Sequence, residues 1–275
     1  QWFRGCSIGT GKPVGLWQEY QGVQAYVVEG IPHHLMDGLV PTEVATVTEW
    51  CLQARTAIQQ IGERKHVPIV VGGTGLYIQA LLDGYVPPAV SPQFSWRQEM
   101  SQKPLAELVA VLEACDPASA AQIDLKNPRR VLRALEVATF TGASFIAQQQ
   151  KGESEYESLR LGLRVPRQEL YERLERTIDR MFAEGWIEEV ERLHAQGVPF
   201  DAPALTSLGY RDISLFLQGT IDRSRLRTQI IQATRQYAKR QETWFKRDRS
   251  IEWFDAAEPA FQRIQDWNVR SPKSG

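Results

Sequence analysis

The sequence predicts an α/β protein, a parallel-sheet core interrupted by an inserted helical domain. Three observations carry this. Val67 to Val71 (VPIVV) is a short apolar, β-branched run of the kind buried on both faces of a parallel sheet, and it leads into Gly72-Gly73-Thr74-Gly75 and then helically spaced Leu76, Tyr77, Ala80, Leu81 and Leu82. Leu159, Leu161, Leu163 and Val165 alternate with Arg160, Gly162 and Arg164, which marks a second strand. Between the Pro-rich break Val86 to Pro92 and about Gly152 no strand pattern is found.

In chain order, residues 45–64 read as a helix with Val47, Trp50, Cys51, Ala54 and Ile58 on one side, leading into the VPIVV strand as half of a β-α-β unit. Leu105 to Leu112 and Pro128 to Phe140 read as helices of the inserted domain. The second has Asn127 as N-cap, Pro128 at its first position and Gly142 near its end. A helical hairpin is expected from Gln168 to Glu184 and Trp186 to Gln196, punctuated by Gly185 and Gly197. A long helix follows the LTSLGYRD loop, Ile251 to Phe254 supplies a final strand, and the tail RSPKSG looks disordered. The expected domains are residues 1–88 and 154–275 for the core and 89–153 for the insertion.

Composition fits a globular protein, since 43% hydrophobic content over 275 residues can bury a substantial core. Three widely spaced cysteines suggest neither a disulfide framework nor a zinc site. A formal net charge of -1 excludes a generally basic coat, so any nucleic-acid contact has to come from local patches. No apolar stretch approaches membrane-spanning length and no signal peptide is evident, so the expected address is the cytoplasm, with no membrane partner.

Charge is patterned most clearly in Thr234 to Asp248 (TRQYAKRQETWFKRD). At about 100° per residue, Arg235, Lys239 and Lys246 share one helix face, while Leu226, Ile230, Ala233, Tyr237 and Trp244 share the opposite one. Arg240 and Arg247 form a second basic row. Such a face can hold a polyanion or simply be solvated. The GGTG turn likewise has two readings: backbone amides facing an anion at a helix start, or glycines required only for their dihedral angles. No Lys-Ser or Lys-Thr follows it, so it is not a Walker A loop.

VVGGTGLYIQALLDG, NPRRVLRALEV, LTSLGYRD and TRQYAKRQETWFKRD, in this order and at these separations, resemble the tRNA dimethylallyltransferases, also called tRNA isopentenyltransferases. The opening QWFRGCSIGTGKP is similar to the family's QVYRGMDIGTAKP, and the resemblance runs to about Asp255. It implies a P-loop-NTPase-like core whose first strand, phosphate loop and general-base Asp lie ahead of Gln1. The chain from Gln1 is therefore expected to be truncated, and to bind tRNA without turnover until that segment is supplied.

The chemistry that the resemblance implies is transfer of a dimethylallyl group from dimethylallyl diphosphate to N6 of the adenosine beside the anticodon. Magnesium is expected with the diphosphate, held through the segment ahead of Gln1. Thr74 matches the threonine at the reaction centre and Arg235 an arginine near the diphosphate. Gly72, Gly73, Gly75 and Tyr77 belong to the matching substrate-side turn, and Gln1 matches a residue that contacts the target base. The tRNA anticodon stem-loop would meet Arg129, Arg130 and Arg133 on the insertion, and Thr206, Ser207, Gly209, Tyr210 and Arg211 in the loop. On the basic helix it would meet Gln236, Lys239, Arg240, Gln241, Thr243, Trp244 and Lys246. The chain is expected to work as a monomer.

Structural roles compete at several of these positions. Thr74 can act as an N-cap, Arg235 as a solvated cation, Arg130 and Arg133 as surface groups, and Gly209-Tyr210 as a turn packed under an aromatic. His33 and His34 lack further ligands at metal spacing. Three other functions remain open: an adenylate isopentenyltransferase, a non-catalytic RNA-binding protein, and a small-molecule P-loop kinase.

Overall fold

The computed structural model describes residues 1–86, 88, 90, 92–148, 150–151 and 155–270. The expected disordered tail falls, beyond Arg270, outside these residues. The chain forms two compact units, one of residues 1–75 with the chain from Ser158 onward, the other of Leu76–Glu157.

The first unit opens with a three-stranded antiparallel sheet that the sequence reading does not anticipate. Its strands are β1 (Leu16–Tyr20), β2 (Val23–Val28) and β3 (Ile31–His33), with β2 central. Both connections are two-residue loops, and in each both residues have positive φ: Gln21 at 50° and Gly22 at 82°, then Glu29 at 48° and Gly30 at 79°. That is the type I′ signature, whose twist matches the flanking strands. Helix α1 (Val47–Glu63) follows, its first turn closed by Thr46 accepting from the Glu49 amide.

The VPIVV segment is not a strand in this structure. No described strand pairs with it, and Ile69 is 78% and Val71 90% exposed. Local β propensity cannot hold an extended segment in a parallel sheet; ladder bonds to a neighbour do that. The GGTG turn nonetheless leads into helix α2 (Gly75–Leu82), as expected.

In the second unit, short strand β4 (Tyr85–Val86) pairs with β5 (Gln150–Lys151) and encloses helices α3 (Phe94–Met100), α4 (Leu105–Cys115), α5 (Pro117–Ala120), α6 (Pro128–Thr141) and α7 (Phe145–Gln148). Helix α6 has the caps its sequence announces. The Asn127 side chain accepts from the Arg129 and Arg130 amides, and Gly142 closes the helix at φ 67°. Leu108 and Leu112 of α4 pack with Val131, Ala134 and Leu135 of α6 as the core of this unit.

Back in the first unit, β6 (Arg160–Leu163) pairs in parallel with β7 (Ile251–Phe254), so two of the three strands read from the sequence form. Between them run α8 (Arg167–Ala183), α9 (Trp186–Ala195), α10 (Tyr210–Leu217) and the long α11 (Arg223–Phe245), with α12 (Ala257–Arg270) last. Trp186, Val190, Leu205, Tyr210, Ile213, Leu226 and Ile230 form the main core. The molecule is thus α/β, with small sheets and many helices; the central, doubly covered strand expected at 67–71 is the part that differs.

Candidate functional site

The GGTG turn is shaped by helix α11. The Gln241 side-chain amide donates to the Gly73 carbonyl at 3.0 Å. A methyl group on Gly73 would lie 1.8 Å from that amide nitrogen, and one on Gly75 would lie 2.2 Å from the Trp244 indole. Neither glycine has a positive φ. Their missing side chains are therefore required for close approach of α11, not for unusual dihedrals. Gly72 and Thr74 are exposed on this turn, while Gln241 and Trp244 are half-buried against it. Tyr77 lies in the other unit, half-buried on α2.

Nearer the start of α11, the half-buried Arg235 reaches across to α8, while its neighbour Gln236 is exposed. The Arg235 Nη2 donates to the Glu175 carboxylate, and the guanidinium carbon sits 4.7 Å from the centre of the Tyr171 ring. Arg235, Arg167, Gln168, Tyr171, Glu172 and Glu175 line a recess of about 540 Å³. Sequence periodicity places Arg235 on the same face as Lys239 and Lys246; the structure separates it from them by giving it these two partners.

The outer face of α11 carries the exposed Gln236, Lys239, Arg240, Thr243, Lys246 and Arg247. Arg240 lies 5.8 Å over the Tyr237 ring, and Lys246 bonds Glu242 at 2.6 Å. Glu242 also receives Arg167 at 3.3 Å, and these two cations hold its carboxyl below the usual range. Leu226 and Ile230 are buried on the opposite face, as the pattern predicts.

The 206–211 loop divides into an exposed and a buried part. Thr206 and Arg211 are exposed and Ser207 is half-buried. Gly209 is buried with φ 81°, and a methyl group there would lie 2.1 Å from the Trp186 ring. Tyr210 is fully buried, edge-on to Trp186, and donates its hydroxyl to Glu189 at 2.6 Å. Burial first, and then the Glu189 carboxylate, pushes the tyrosine pKa up.

Glu189 itself gives no sequence signal. It is 4% exposed and accepts from the Ser7 and Ile8 amides, both at 2.9 Å, so it anchors the SIGT segment to the core. Burial, with Glu189 nearby, raises the Cys6 thiol to about 11. Gln1 closes the same region, its side-chain amide donating to the Thr10 and Gly11 carbonyls at 3.1 and 3.0 Å.

On the second unit, Arg129 and Arg130 are exposed on the first turn of α6. Arg133 is half-buried and donates to Glu136 and to the Pro88 carbonyl. Glu136 is fully buried, and accepts also from the Gln93 amide and Arg97 Nε, both at 2.7 Å. Burial alone would raise this carboxyl, but Arg97, the Gln93 amide and Arg133 outweigh it and hold it below the usual range. Among the described residues no group of three or more His, Cys, Asp or Glu is placed to hold a metal ion.

Residues 1–248 match the profile of the family described as IPP transferase. A tRNA dimethylallyltransferase of Thermomicrobium roseum is 39% identical over 274 residues, covering 98% of this chain and 80% of that protein. One from Synechococcus elongatus is 38% identical over 275 residues, covering 99% and 85%. Among solved structures, the full-length tRNA isopentenylpyrophosphate transferase of Bacillus halodurans aligns with a TM-score of 0.66 and 30% identity, covering 98% of this chain and 84% of that one. A eukaryotic dimethylallyltransferase solved acting on tRNA shares the fold at 24% identity, with a TM-score of 0.72 over 90% of this chain and 68% of its own. With matches that run along almost the whole chain and span the GGTG turn, α6 and α11, this protein belongs to the tRNA dimethylallyltransferase (IPP transferase) family.

Proposed function

We propose that this protein modifies tRNA, moving a dimethylallyl group from dimethylallyl diphosphate to N6 of the adenosine 3′-adjacent to the anticodon, position 37. The bond from N6 to C1 of the prenyl group forms as the bond from C1 to the diphosphate oxygen breaks; N6 loses a proton and diphosphate leaves. The observation that carries the reading is the end-to-end family match, joined to the packing of α11 directly on the GGTG turn.

An exocyclic purine amine is a weak nucleophile, so the site has to align it and stabilise the departing charge. Thr74, exposed on the turn, is assigned to the reacting centre, and Arg235 to the diphosphate. Gly72, Gly73, Gly75 and Tyr77 are assigned by the resemblance to the substrate side, and Gly73 and Gly75 leave the room in which Gln241 and Trp244 of α11 pack on the turn. A base stacked in an anticodon loop has to be extruded to be alkylated, so loop RNA is gripped by cations outside the reacting centre. Arg129 and Arg130 on α6, Thr206, Arg211 in the first turn of α10, Lys239 and Arg240 on α11, and Lys246 at its C-cap are exposed and suited to this.

Magnesium would accompany the diphosphate, but the described residues offer no carboxylate cluster for it, and no step here passes through a metal. The parallel pair β6–β7 and the strandless VPIVV segment entering α2 are assigned to a P-loop-NTPase-like core. Among the described residues no helix is long and apolar enough to cross a membrane. A cytoplasmic address and a monomeric state belong to this proposal through the family resemblance alone.

The test is acceptor competition. The protein should convert unmodified tRNA to the prenylated product, read by mass spectrometry of its nucleosides, and leave AMP unchanged. Preferential prenylation of AMP would replace this reading with an adenylate isopentenyltransferase. tRNA binding with no transfer to either acceptor would favour the non-catalytic RNA-binding alternative.

A further inference from the structure

We infer that Tyr171 and Glu175, on successive turns of α8, are positioning residues that fix the guanidinium of Arg235 for its role toward an anionic diphosphate. This rests on the assignment of Arg235 proposed above. It goes beyond that assignment by naming the groups through which the arginine acts.

The geometry supports it in three ways. The ring of Tyr171 covers the guanidinium, 4.7 Å from its central carbon, and Glu175 accepts from Nη2. A face contact and an edge contact together restrict both the tilt and the rotation of a planar cation. Nε is buried and has no hydrogen-bond partner among the described residues, so the side chain is held through its outer end. The third support is that Tyr171 and Glu175 are four positions apart on one helix, so both point from the same face of α8.

The recess lining contains Arg167 and Arg235 with Glu172 and Glu175, so its formal charge is zero. Arg167 is directed to Glu242, at 3.3 Å. Arg235 is then the cation whose partner, Glu175, also orients it. A flexible arginine loses several rotatable bonds of freedom when it grips an anion, and a preset guanidinium has lost them already.

The experiment follows Arg235 directly. In full chain labelled with 15N-arginine, the Nε–H resonance of Arg235, assigned by its loss in Arg235→Lys, should be resolved and shifted by the Tyr171 ring. Tyr171→Phe should keep that shift, whereas Tyr171→Leu and Glu175→Gln should collapse it toward the free-arginine position. Glu169→Gln, which alters a carboxylate of the same helix that is paired with Arg173, should leave it in place. Inorganic diphosphate should move the resonance in the parent, and require about 3- to 10-fold more ligand in Tyr171→Leu and Glu175→Gln, the size expected for losing one cation–π or ion-pair contact.

An unmoved resonance in both Tyr171→Leu and Glu175→Gln overturns the inference. So does tighter diphosphate binding by Glu175→Gln, which would make Glu175 a competitor of the anion. If the variants collapse the resonance but diphosphate moves it in none of the proteins, Tyr171 and Glu175 do position Arg235, and it is the diphosphate assignment of Arg235 that fails.

Discussion

At the scale of the residue, the role proposed for Thr74 and the packing of its flanking glycines can be tested one atom at a time. Thr74→Ala should lower kcat more than it weakens tRNA affinity, and Thr74→Ser should retain much more activity, because a hydroxyl at the reacting centre acts mainly in the transition state. Loss of thermal stability in both variants with the parental rate kept would instead make Thr74 a helix cap. The glycines permit a sharper test. Gly75→Ala drives a methyl into the rigid Trp244 ring and should cost about 1–3 kcal/mol. Gly73→Ala meets only the end of the flexible Gln241 side chain, so it should cost less, and Gln241→Ala should relieve it. Equal costs that Gln241→Ala does not relieve would contradict the packing account. Tyr210→Phe should destabilise by about 1–3 kcal/mol, since it removes a buried donor from Glu189, while leaving the salt dependence of tRNA binding unchanged.

At the scale of the element, α6 is tied into its unit by the buried carboxylate of Glu136, one of two in that unit with Asp116. Glu136 has a folded-state pKa below its unfolded value of about 4.3, so the unfolded chain binds the proton more readily. Its contribution is then full above that value and is lost as pH falls through the folded pKa. Acid titration followed by circular dichroism should show the Leu76–Glu157 unit weakening below about pH 4, and Glu136→Gln should flatten that limb at a cost near neutral pH. An unchanged acid limb in Glu136→Gln would show that other carboxylates set it.

Helix α6 also shows what a sequence can disclose by itself. Asn127, Pro128 and Gly142 act on backbone groups within one turn, so cap and stop are local and legible. The type I′ loops Gln21-Gly22 and Glu29-Gly30 are equally local, and the x-Gly pair between alternating runs is a usable signal for the hairpins that periodicity alone does not reveal. VPIVV misleads for a different reason: whether an apolar run is buried depends on ladder partners elsewhere in the chain. Glu189 is invisible for the same cause, its amide partners lying 182 and 181 positions away.

Across the whole molecule, the tRNA contact proposed above has to come from basic patches, since the chain has a net charge of -1. The exposed cations sit on two separate units: Arg129 and Arg130 at the start of α6, and Lys239, Arg240 and Lys246 along α11. The sequence discloses these patches through spacing and through motif order. It does not show which motif residues face inward: Tyr210 is fully buried in the core, and Arg235 is tied to α8. A bulk basic coat would bind any RNA, whereas local patches confine the contact to the faces that carry them.

The central claim is that these two patches meet the phosphates of tRNA, and the salt dependence of tRNA affinity tests it most directly. Each lysine or arginine that neutralises a phosphate releases counterions, so Lys239→Ala and Arg130→Ala should each flatten the slope of log affinity against log salt by about 0.7 to 1. Both should weaken binding to all cognate tRNAs alike and leave dimethylallyl diphosphate affinity nearly unchanged. Slopes equal to that of the parent in both variants, with AMP serving as a good prenyl acceptor, would contradict the account.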